Sequence, residues 1–187
     1  PARRAFKEAP LRLFYHGSIV PDRLPCSILH ALARLPGDIR LTVAGYETGG
    51  HPGYIQTMKD QAAQLGVADQ VTFIGTVPDR QSLLDQCAES DIGLAFMPAK
   101  STDFNLETMT GASNKPFDYL ACGLALLVSD LPDWTDMYVE PGYGLACDIN
   151  DPESIVTALH WYLMHPEEMR QMGEAGRQRI LSEWHYE

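Results

Sequence analysis

The sequence predicts an α/β fold, a Rossmann-like, doubly wound parallel sheet of about six strands with helices on both faces. Short apolar runs alternate with longer helical segments along the 187 residues. Several runs are apolar on both faces, as strands buried within a parallel sheet are. A helix follows nearly every run, which implies right-handed crossover connections. With 45% hydrophobic residues, the chain suits one globular domain with a sizeable core.

The boundaries of the elements follow from where the apolar and helical patterns begin and end. The candidate strands are Leu11–His16, Ile39–Gly45, Val71–Ile74, Ile92–Met97, Leu124–Ser129 and Gly144–Cys147. The candidate helices are Cys26–Leu35, Gly53–Leu65, Arg80–Ala88, Pro116–Ala121, Trp134–Val139, Asp151–Met164 and Pro166 to about Trp184. Asp151-Pro152 and Pro166 support the last two helices, because acidic caps and first-turn prolines are typical of helix starts.

Composition and charge exclude several classes of partner. The net charge of −11 argues against a general nucleic-acid or anionic-membrane surface, although fourteen Lys and Arg residues leave room for a local basic pocket. No apolar run reaches the roughly 18–20 residues of a membrane span, and we expect no signal peptide. Residues 1–10 are interpreted as a linker or an artificial cut, and residues 11–187 as the domain.

The cysteines and histidines indicate neither a disulfide framework nor a metal site. Cys26, Cys87, Cys122 and Cys147 are far apart and form no C-x-x-C pair. Three of them lie in apolar stretches, which favours reduced core thiols over disulfides or metal ligands. The six histidines lack metal-ligand spacing. We therefore expect a cytoplasmic protein without a metal or other cofactor.

Two turns at predicted strand ends are candidate ligand-binding segments. In HGSIVPDRLP, Gly17 would let a ligand approach the backbone and Arg23 could place a permanent charge on a phosphate. The alternative for this segment is a surface turn with a solvated arginine. In FIGTVPDRQSLLDQC, the backbone of Gly75–Pro78 could pair with the edge of a base. The alternative there is an ordinary strand-to-helix connection.

The third candidate is the long irregular stretch Pro98–Ser113, which follows a predicted strand and contains Lys100, Asp103, Asn105 and Glu107. Long loops in compact domains are usually functional or mobile, and open α/β sheets bind ligands at the carboxyl ends of their strands. An excursion without function is the alternative.

The fourth candidate is the helix start within GASNKPFDYLACG. Ser113 or Asn114 can cap the helix, and Pro116 fits its first turn. Free N–H groups and the helix dipole favour an anion there, and Lys115 adds a full positive charge. Asp118, about one turn further in, could accept hydrogen bonds from hydroxyls. A capped helix with a solvated lysine is the alternative.

Together these segments make a stronger case than separately, because all of them follow strands of one predicted parallel sheet. A nucleoside diphosphate needs backbone groups for its base, a carboxylate for its ribose, and cations with helix N–H groups for its phosphates. The combination therefore predicts a nucleoside-diphosphate site at the carboxyl edge of the sheet.

The order of these segments resembles the carboxyl-terminal, donor-binding domain of GT-B-fold retaining glycosyltransferases, the glycosyl transferases group 1 family. The resemblance covers about residues 11–184. LRLFYHGSIVPDR is similar to the family's opening strand and basic turn, and VTFIGTVPDRQSLLDQCAESDIGLAFMP to its middle. NKPFDYLACGLALLVSDLP resembles the variant Asn-Lys-x-Phe-Glu-Tyr-x-Ala-x-Gly, and DPESIVTALHWYLMHPEEMRQMGEAGRQRI is similar to the closing helices.

The resemblance implies a nucleotide-sugar donor of the UDP or GDP type and a role for each candidate residue. Arg23 takes the place of a phosphate-binding lysine, Thr76–Pro78 would border the base, and Ser113–Lys115 would face the diphosphate. Asp118 takes the place of a ribose-binding glutamate. The substrate-binding residues are then Gly17, Ser18, Gly75, Thr76, Val77, Pro78, Ser113, Asn114 and Asp118. Arg23 and Lys115 would stabilise the diphosphate leaving group.

Two departures from the family pattern leave a second interpretation open. Ser18 lies where many members have a phosphate-binding arginine, and Thr110 lies where many have a sugar-contacting glutamate. Glu107 is three residues out of register. The alternative is therefore a catalytically inactive nucleotide-sugar-binding or scaffolding domain. A sugar-nucleotide epimerase, with His16 and Asp103 as its candidates, is a third and weaker interpretation.

The resemblance also implies partners outside this chain. The acceptor, a glycan, lipid or other molecule, would bind a separate amino-terminal domain, and membrane contact would come only through that domain. No metal is implied, and no nucleic acid. We expect this chain alone to be inactive, within a protein of polysaccharide or glycan biosynthesis.

Overall fold

The computed structural model, which describes residues 10–36, 39–98 and 113–183, confirms the predicted fold class. Its sheet has six parallel strands in the order β3-β2-β1-β4-β5-β6. The strands are β1 (Leu11–Ser18), β2 (Ile39–Tyr46), β3 (Val71–Gly75), β4 (Ile92–Ala95), β5 (Ala125–Ser129) and β6 (Gly144–Cys147). The strand order reverses between β1 and β4, where open sheets of this class form their ligand crevice.

The helices lie close to their predicted positions. They are α1 (Ser27–Leu32), α2 (Tyr54–Gln64), α3 (Arg80–Ala88), α4 (Asn114–Ala121), α5 (Pro132–Trp134), α6 (Pro152–Met164) and α7 (Pro166–Glu183). The segment predicted as a helix at Trp134–Val139 begins earlier and continues from α5 into a π-helical turn at Thr135–Val139. Of the predicted long loop, residues 99–112, including Lys100, Asp103, Asn105, Glu107 and Thr110, lie outside the described residues, as does Trp184.

Helices cover both faces of the sheet, because successive side chains of each strand point to opposite sides. Leu13 and Tyr15 of β1 belong to one buried cluster, which also contains α1, α2 and α6 side chains. Phe14 belongs to the second cluster, together with Tyr119 and Leu120 of α4. The second cluster packs α3 and α4 over one face of the sheet, through Cys87 of α3 and Tyr119 and Leu120 of α4.

The crevice between β1 and β4 is held open by Tyr119. The two strands pair only at Leu13↔Ile92 and Phe14↔Gly93, although β1 continues to Ser18. Beyond that point the Tyr119 hydroxyl accepts a hydrogen bond from the His16 N–H (3.2 Å) and donates one to the Leu94 carbonyl (3.2 Å). The Tyr119 side chain of α4 thus bridges the two strands where direct backbone hydrogen bonds between β1 and β4 have ended.

The cysteines match the prediction of reduced thiols, since Cys26, Cys87, Cys122 and Cys147 are all free. Within the described residues, no helix is long and apolar enough to cross a membrane.

Candidate functional site

The site lies where β1 ends and α3 and α4 begin. Lys115 is the second residue of α4, so it lies in the first turn, where backbone N–H groups have no intrahelical acceptor. Its side chain packs beside Gly17 and over the ring of Tyr15, with Nζ 5.4 Å from the ring centroid. The amino end of α4 therefore places its lysine against the carboxyl end of β1.

Gly17 makes this approach possible. Its φ of +115° belongs to the region that side chains rarely adopt, and a Cβ on it would lie 3.1 Å from Cε of Lys115 and 3.3 Å from Nζ. The sequence predicts that this glycine lets a ligand approach the backbone, and in the described structure the group beside it is the side chain of Lys115.

The Lys115 ammonium is a buried cation, since the residue is only 7% exposed. Among the described residues, no carboxylate forms an ion pair with it. Burial, and secondly the positive charge of Arg23, lower the pKa of Lys115 to about 8. The two cations that the sequence pairs therefore lie within electrostatic reach of each other.

Arg23 reaches the site from the turn after β1. Its N–H bonds to the carbonyl of Val20, and the residue is half-buried. Tyr15 fixes the start of this turn, because its hydroxyl donates to the Ser18 carbonyl. Gly17 and Ser18 thus end β1, Arg23 follows in the next turn, and Gly17 lies against the Lys115 side chain.

Asp118 differs from its predicted environment. It was expected to accept hydrogen bonds from ligand hydroxyls, but its carboxylate is buried and already engaged by side chains. Oδ1 accepts a hydrogen bond from Nη2 of Arg80 at 2.6 Å, and Oδ2 lies 3.5 Å from Nε2 of His16. The sequence analysis did not assign Arg80 to the site, and it considered His16 only for the weaker epimerase interpretation.

His16 is a neutral partner for that carboxylate. Burial, then the charges of Lys115 and Arg80, lower its pKa to about 4. Its Nε2 has no hydrogen-bond partner in the described part of the chain, so the 3.5 Å approach to Asp118 is a contact and not a hydrogen bond. Arg80 is therefore the cation that directly compensates the charge of Asp118.

The turn at Gly75–Pro78 presents accessible backbone, as the base-binding hypothesis requires. Gly75 has a φ of +71° with open space around it, and Gly75, Thr76 and Pro78 are exposed. Val77 is half-buried and packs on the second cluster, which anchors the turn. Asp79 then caps α3 by accepting from the Ser82 N–H, so Arg80 begins the helix immediately after the turn.

The sequence predicts that Ser113 or Asn114 caps α4, and the structure confirms the position of the cap residue but not the capping hydrogen bond. Ser113 occupies the N-cap position and is buried, but its side chain makes no capping hydrogen bond. Asn114 is the first helical residue and is exposed, and Pro116 lies in the first turn as predicted. Without a cap from Ser113, the first-turn N–H groups of α4 have no side-chain cap among the described residues and are candidates to bind another acceptor.

The charges collected here are mainly positive, although the whole chain carries −11. The described part of the site contains three cations, which are Arg23, Lys115 and Arg80. They are accompanied by the carboxylate of Asp118 and the neutral side chain of His16. Chemically, the arrangement can hold an anion. Among the described residues, no group of three or more His, Cys, Asp or Glu side chains could hold a metal ion.

Known proteins resemble this chain in sequence and in fold. Residues 1–179 match the model of the family described as glycosyl transferases group 1. The chain is 26% identical over 168 residues to the GDP-mannose-dependent alpha-(1-6)-phosphatidylinositol monomannoside mannosyltransferase of Mycolicibacterium smegmatis. The match covers 90% of this chain and 42% of that relative.

Solved structures share the fold at low sequence identity. Anabaena HepE in complex with UDP is 13% identical with a TM-score of 0.75, covering 90% of this chain and 43% of HepE. The C-terminal domain of a group 1 family protein from Francisella tularensis is 16% identical, also with a TM-score of 0.75. That match covers 97% of this chain and 90% of the other. The present chain thus spans less than half of the curated relative but nearly all of an isolated C-terminal domain.

Proposed function

Because the chain belongs to the glycosyl transferases group 1 family, we propose that it is the donor-binding half of a glycosyltransferase. The full protein would transfer a sugar from a nucleoside diphosphate sugar to an acceptor, with retention of anomeric configuration. The observation that carries the proposal is the buried cation Lys115, which has no carboxylate partner among the described residues and lies beside Arg23 at an uncapped helix start.

In this proposal the donor lies along the carboxyl edge of the sheet. Its diphosphate binds Arg23, Lys115 and the N–H groups of Ser113 and Asn114 at the start of α4. Gly17 and Ser18 line the same pocket from β1, as Asp118 does from α4. The backbone of Gly75, Thr76, Val77 and Pro78 borders the base. A UDP or GDP donor would suit this pocket, and HepE with UDP and the GDP-mannose-dependent relative supply one precedent for each base.

The chemical step breaks the bond between the anomeric carbon and the diphosphate oxygen. Negative charge then grows on the diphosphate, and Arg23 and Lys115 are placed to stabilise it. Lys115 holds its proton mainly below pH 8 until an anion raises its pKa. The proposal assigns no step to a metal ion.

The acceptor would bind a second, amino-terminal domain supplied by the rest of the protein. A match to only 42% of the curated relative supports that view, because such a partial match leaves room for another domain. The 187-residue chain alone would then bind the nucleotide sugar without transferring its sugar. Glycans and lipids remain the acceptor classes to test.

The alternative, a binding or scaffolding domain that has lost catalysis, has a specific observation in its favour. The carboxylate of Asp118, the residue in the ribose-binding position of the family, is occupied by Arg80 and lies against His16. Such a domain would bind a nucleotide sugar, or none, and the full protein would transfer no sugar.

Thermal unfolding of the chain with UDP, GDP, ADP and CDP tests the proposal. A ligand that binds only the folded chain at 100 times its Kd adds about 2.7 kcal/mol of stability, so at least one nucleotide should raise the Tm. The variant Arg23→Ala with Lys115→Ala should lose this shift. Arg12→Gln is the matched control, since Arg12 lies at the opposite end of β1. The donor-binding proposal fails if no nucleotide shifts the Tm of the unmodified chain.

A further inference from the structure

The ion pair between Arg80 and Asp118 joins two parts of the site that the sequence treats separately. Arg80 is the first residue of α3, directly after the exposed Gly75–Pro78 turn. Asp118 is the fifth residue of α4, one turn beyond Lys115. The 2.6 Å hydrogen bond between them therefore spans from the turn assigned to the base to the helix assigned to the diphosphate.

The two partners differ sharply in exposure. The side chain of Asp118 is 4% exposed, whereas that of Arg80 is 67% exposed. The carboxylate is thus a fixed internal anchor, and the guanidinium stands at the mouth of the site. An arginine has five N–H donors, and within the described chain only Nη2 of Arg80 has an acceptor. The other donors are open to a ligand.

Asp118 itself is poorly placed to receive a ligand. One carboxylate oxygen is taken by Arg80, and the other faces neutral His16. A ligand that approaches this part of α4 meets Arg80 first. Since arginine only donates hydrogen bonds, the group that it recognises is an acceptor, and a phosphate oxygen gives the strongest such bond.

Arg80 also shares the electrostatic field of the other cations. Both Lys115 and Arg80 act on the half-buried ring of His16. Lys115 and Asp118 are three positions apart and share a face of α4, so the Arg80 guanidinium that Asp118 holds lies on the same face of the helix as Lys115. Unlike Lys115, Arg80 stays charged at every pH at which the protein is folded.

We propose that Arg80 is a further donor-binding residue, a third cation that binds the diphosphate, and that Asp118 is the positioning residue that anchors it. This inference rests on the proposed donor-binding function. It differs from the role that the family resemblance implies for position 118, because the carboxylate acts through the arginine and not on the ribose.

Isothermal titration of UDP, GDP and their nucleosides into the chain and its variants tests the inference. Arg80→Gln should raise the Kd for the bound diphosphate about tenfold, as loss of one charge-assisted hydrogen bond does, and should leave nucleoside binding unchanged. Arg80→Lys should recover part of the affinity, since it keeps the charge. Arg12→Gln should bind like the unmodified chain.

A double-mutant cycle tests the anchoring role of Asp118. In an Asp118→Ala background Arg80 loses its hydrogen-bond acceptor, so Arg80→Gln should change the Kd by no more than about threefold. The double variant also removes both charges of the pair. It therefore guards against a loss of affinity that merely reflects an uncompensated buried carboxylate and a poorly folded chain.

Other results would overturn the inference. If Arg80→Gln binds the diphosphate as the unmodified chain does, Arg80 is not a ligand-binding residue. If it binds more tightly, Arg80 competes with the ribose for Asp118. An equal effect of Arg80→Gln in both backgrounds excludes the anchor. If the unmodified chain binds no nucleotide, the proposed function fails and the inference fails with it, whereas a failure confined to Arg80→Gln leaves the proposed function intact.

Discussion

The two ends of strand β1 differ in how the positive charge beside each of them is exposed and compensated. At the amino end, Arg12 is partly exposed and forms an ion pair with Glu89, with 3.4 Å between Nη1 and Oε2. Its backbone N–H donates a hydrogen bond to the carboxylate of Asp91. At the carboxyl end, Lys115 packs against Gly17, is nearly fully buried, and has no ion-pair partner among the described residues. The cation at the amino end thus belongs to β1 and forms an ordinary surface ion pair, whereas the cation at the carboxyl end belongs to α4 and is buried.

The difference supports the proposal that the carboxyl end of β1 binds a ligand and the amino end does not. An exposed ion pair stabilises a fold by at most about 1 kcal/mol and is common on surfaces. A buried ammonium without a carboxylate costs free energy and would be eliminated if stability alone mattered. A bound anion would offset this cost at the carboxyl end, so that end is expected to respond to nucleotide and the amino end is not.

The largest effect is expected from Gly17→Ala, compared with Gly66→Ala as its control. Both glycines have positive φ, so each substitution should destabilise the fold, by about 1 kcal/mol at Gly66 (φ +73°) and by more at Gly17 (φ +115°). Only at Gly17 would the new Cβ press on Lys115, because nothing lies within 4 Å of the Cβ position at Gly66. Gly17→Ala should therefore raise the Kd for the bound nucleoside diphosphate about tenfold or more, measured by titration calorimetry. Equal affinities of the two variants would show that the Gly17–Lys115 contact does not matter for binding.

A smaller effect on stability is expected when a rise in pH removes the proton of Lys115. Burial lowers the pKa of Lys115 from 10.5 to about 8, so between these values the unfolded chain keeps a proton that the folded chain has lost. The destabilising contribution of Lys115 is therefore present below about pH 8 and relieved as the pH rises toward 10.5. Chemical denaturation from pH 7 to 10 should show stability rising in the unmodified chain relative to Lys115→Met.

Nucleotide affinity should change in the opposite direction over the same range, because the neutral amine no longer attracts a phosphate. Lys115→Arg, which keeps its charge, provides the control and should bind with little dependence on pH in this window. An affinity of the unmodified chain that stays constant between pH 7 and 10 would contradict a role for the Lys115 charge in binding.

The smallest effect is expected from Arg12→Gln at the amino end. The pair with Glu89 is largely exposed, and its loss should cost less than about 1 kcal/mol in chemical denaturation. Nucleotide affinity should be unchanged. A clear loss of affinity would mean that charge acts over the whole length of β1, and the contrast between the two ends would disappear.

Sequence patterns predicted most of the fold because each element here has a strong local signal. Continuous apolar runs marked the strands within about two residues, and Pro152 and Pro166 marked two helix starts correctly. The turn at Thr135–Val139 was predicted as an ordinary helix, since side-chain periodicity over five residues does not distinguish a π-helical turn from an α-helix.

The candidate site was predictable only where its residues lie near one another in sequence. Lys115 was proposed for the site because it lies in a predicted helix start, and Arg23 because it lies in a turn after a predicted strand. The partnership of Arg80 with Asp118 joins residues 38 positions apart, and it depends on how α3 and α4 pack on the second cluster. Periodicity carries no information about that distance, so the sequence assigned Asp118 to a ligand when the protein itself engages it.

The Tyr119 hydroxyl between β1 and β4 has a consequence for how this sequence can vary. A Cβ on Gly93 would lie 2.1 Å from the Tyr119 ring, so the smallest residue on β4 faces one of the largest on α4. The two positions form a volume-matched pair, and any gain of bulk at 93 must be met by a loss at 119. A smaller residue at 119 would also remove the hydroxyl that bridges the His16 N–H and the Leu94 carbonyl. Strands β1 and β4 could then pair directly beyond Phe14 and Gly93.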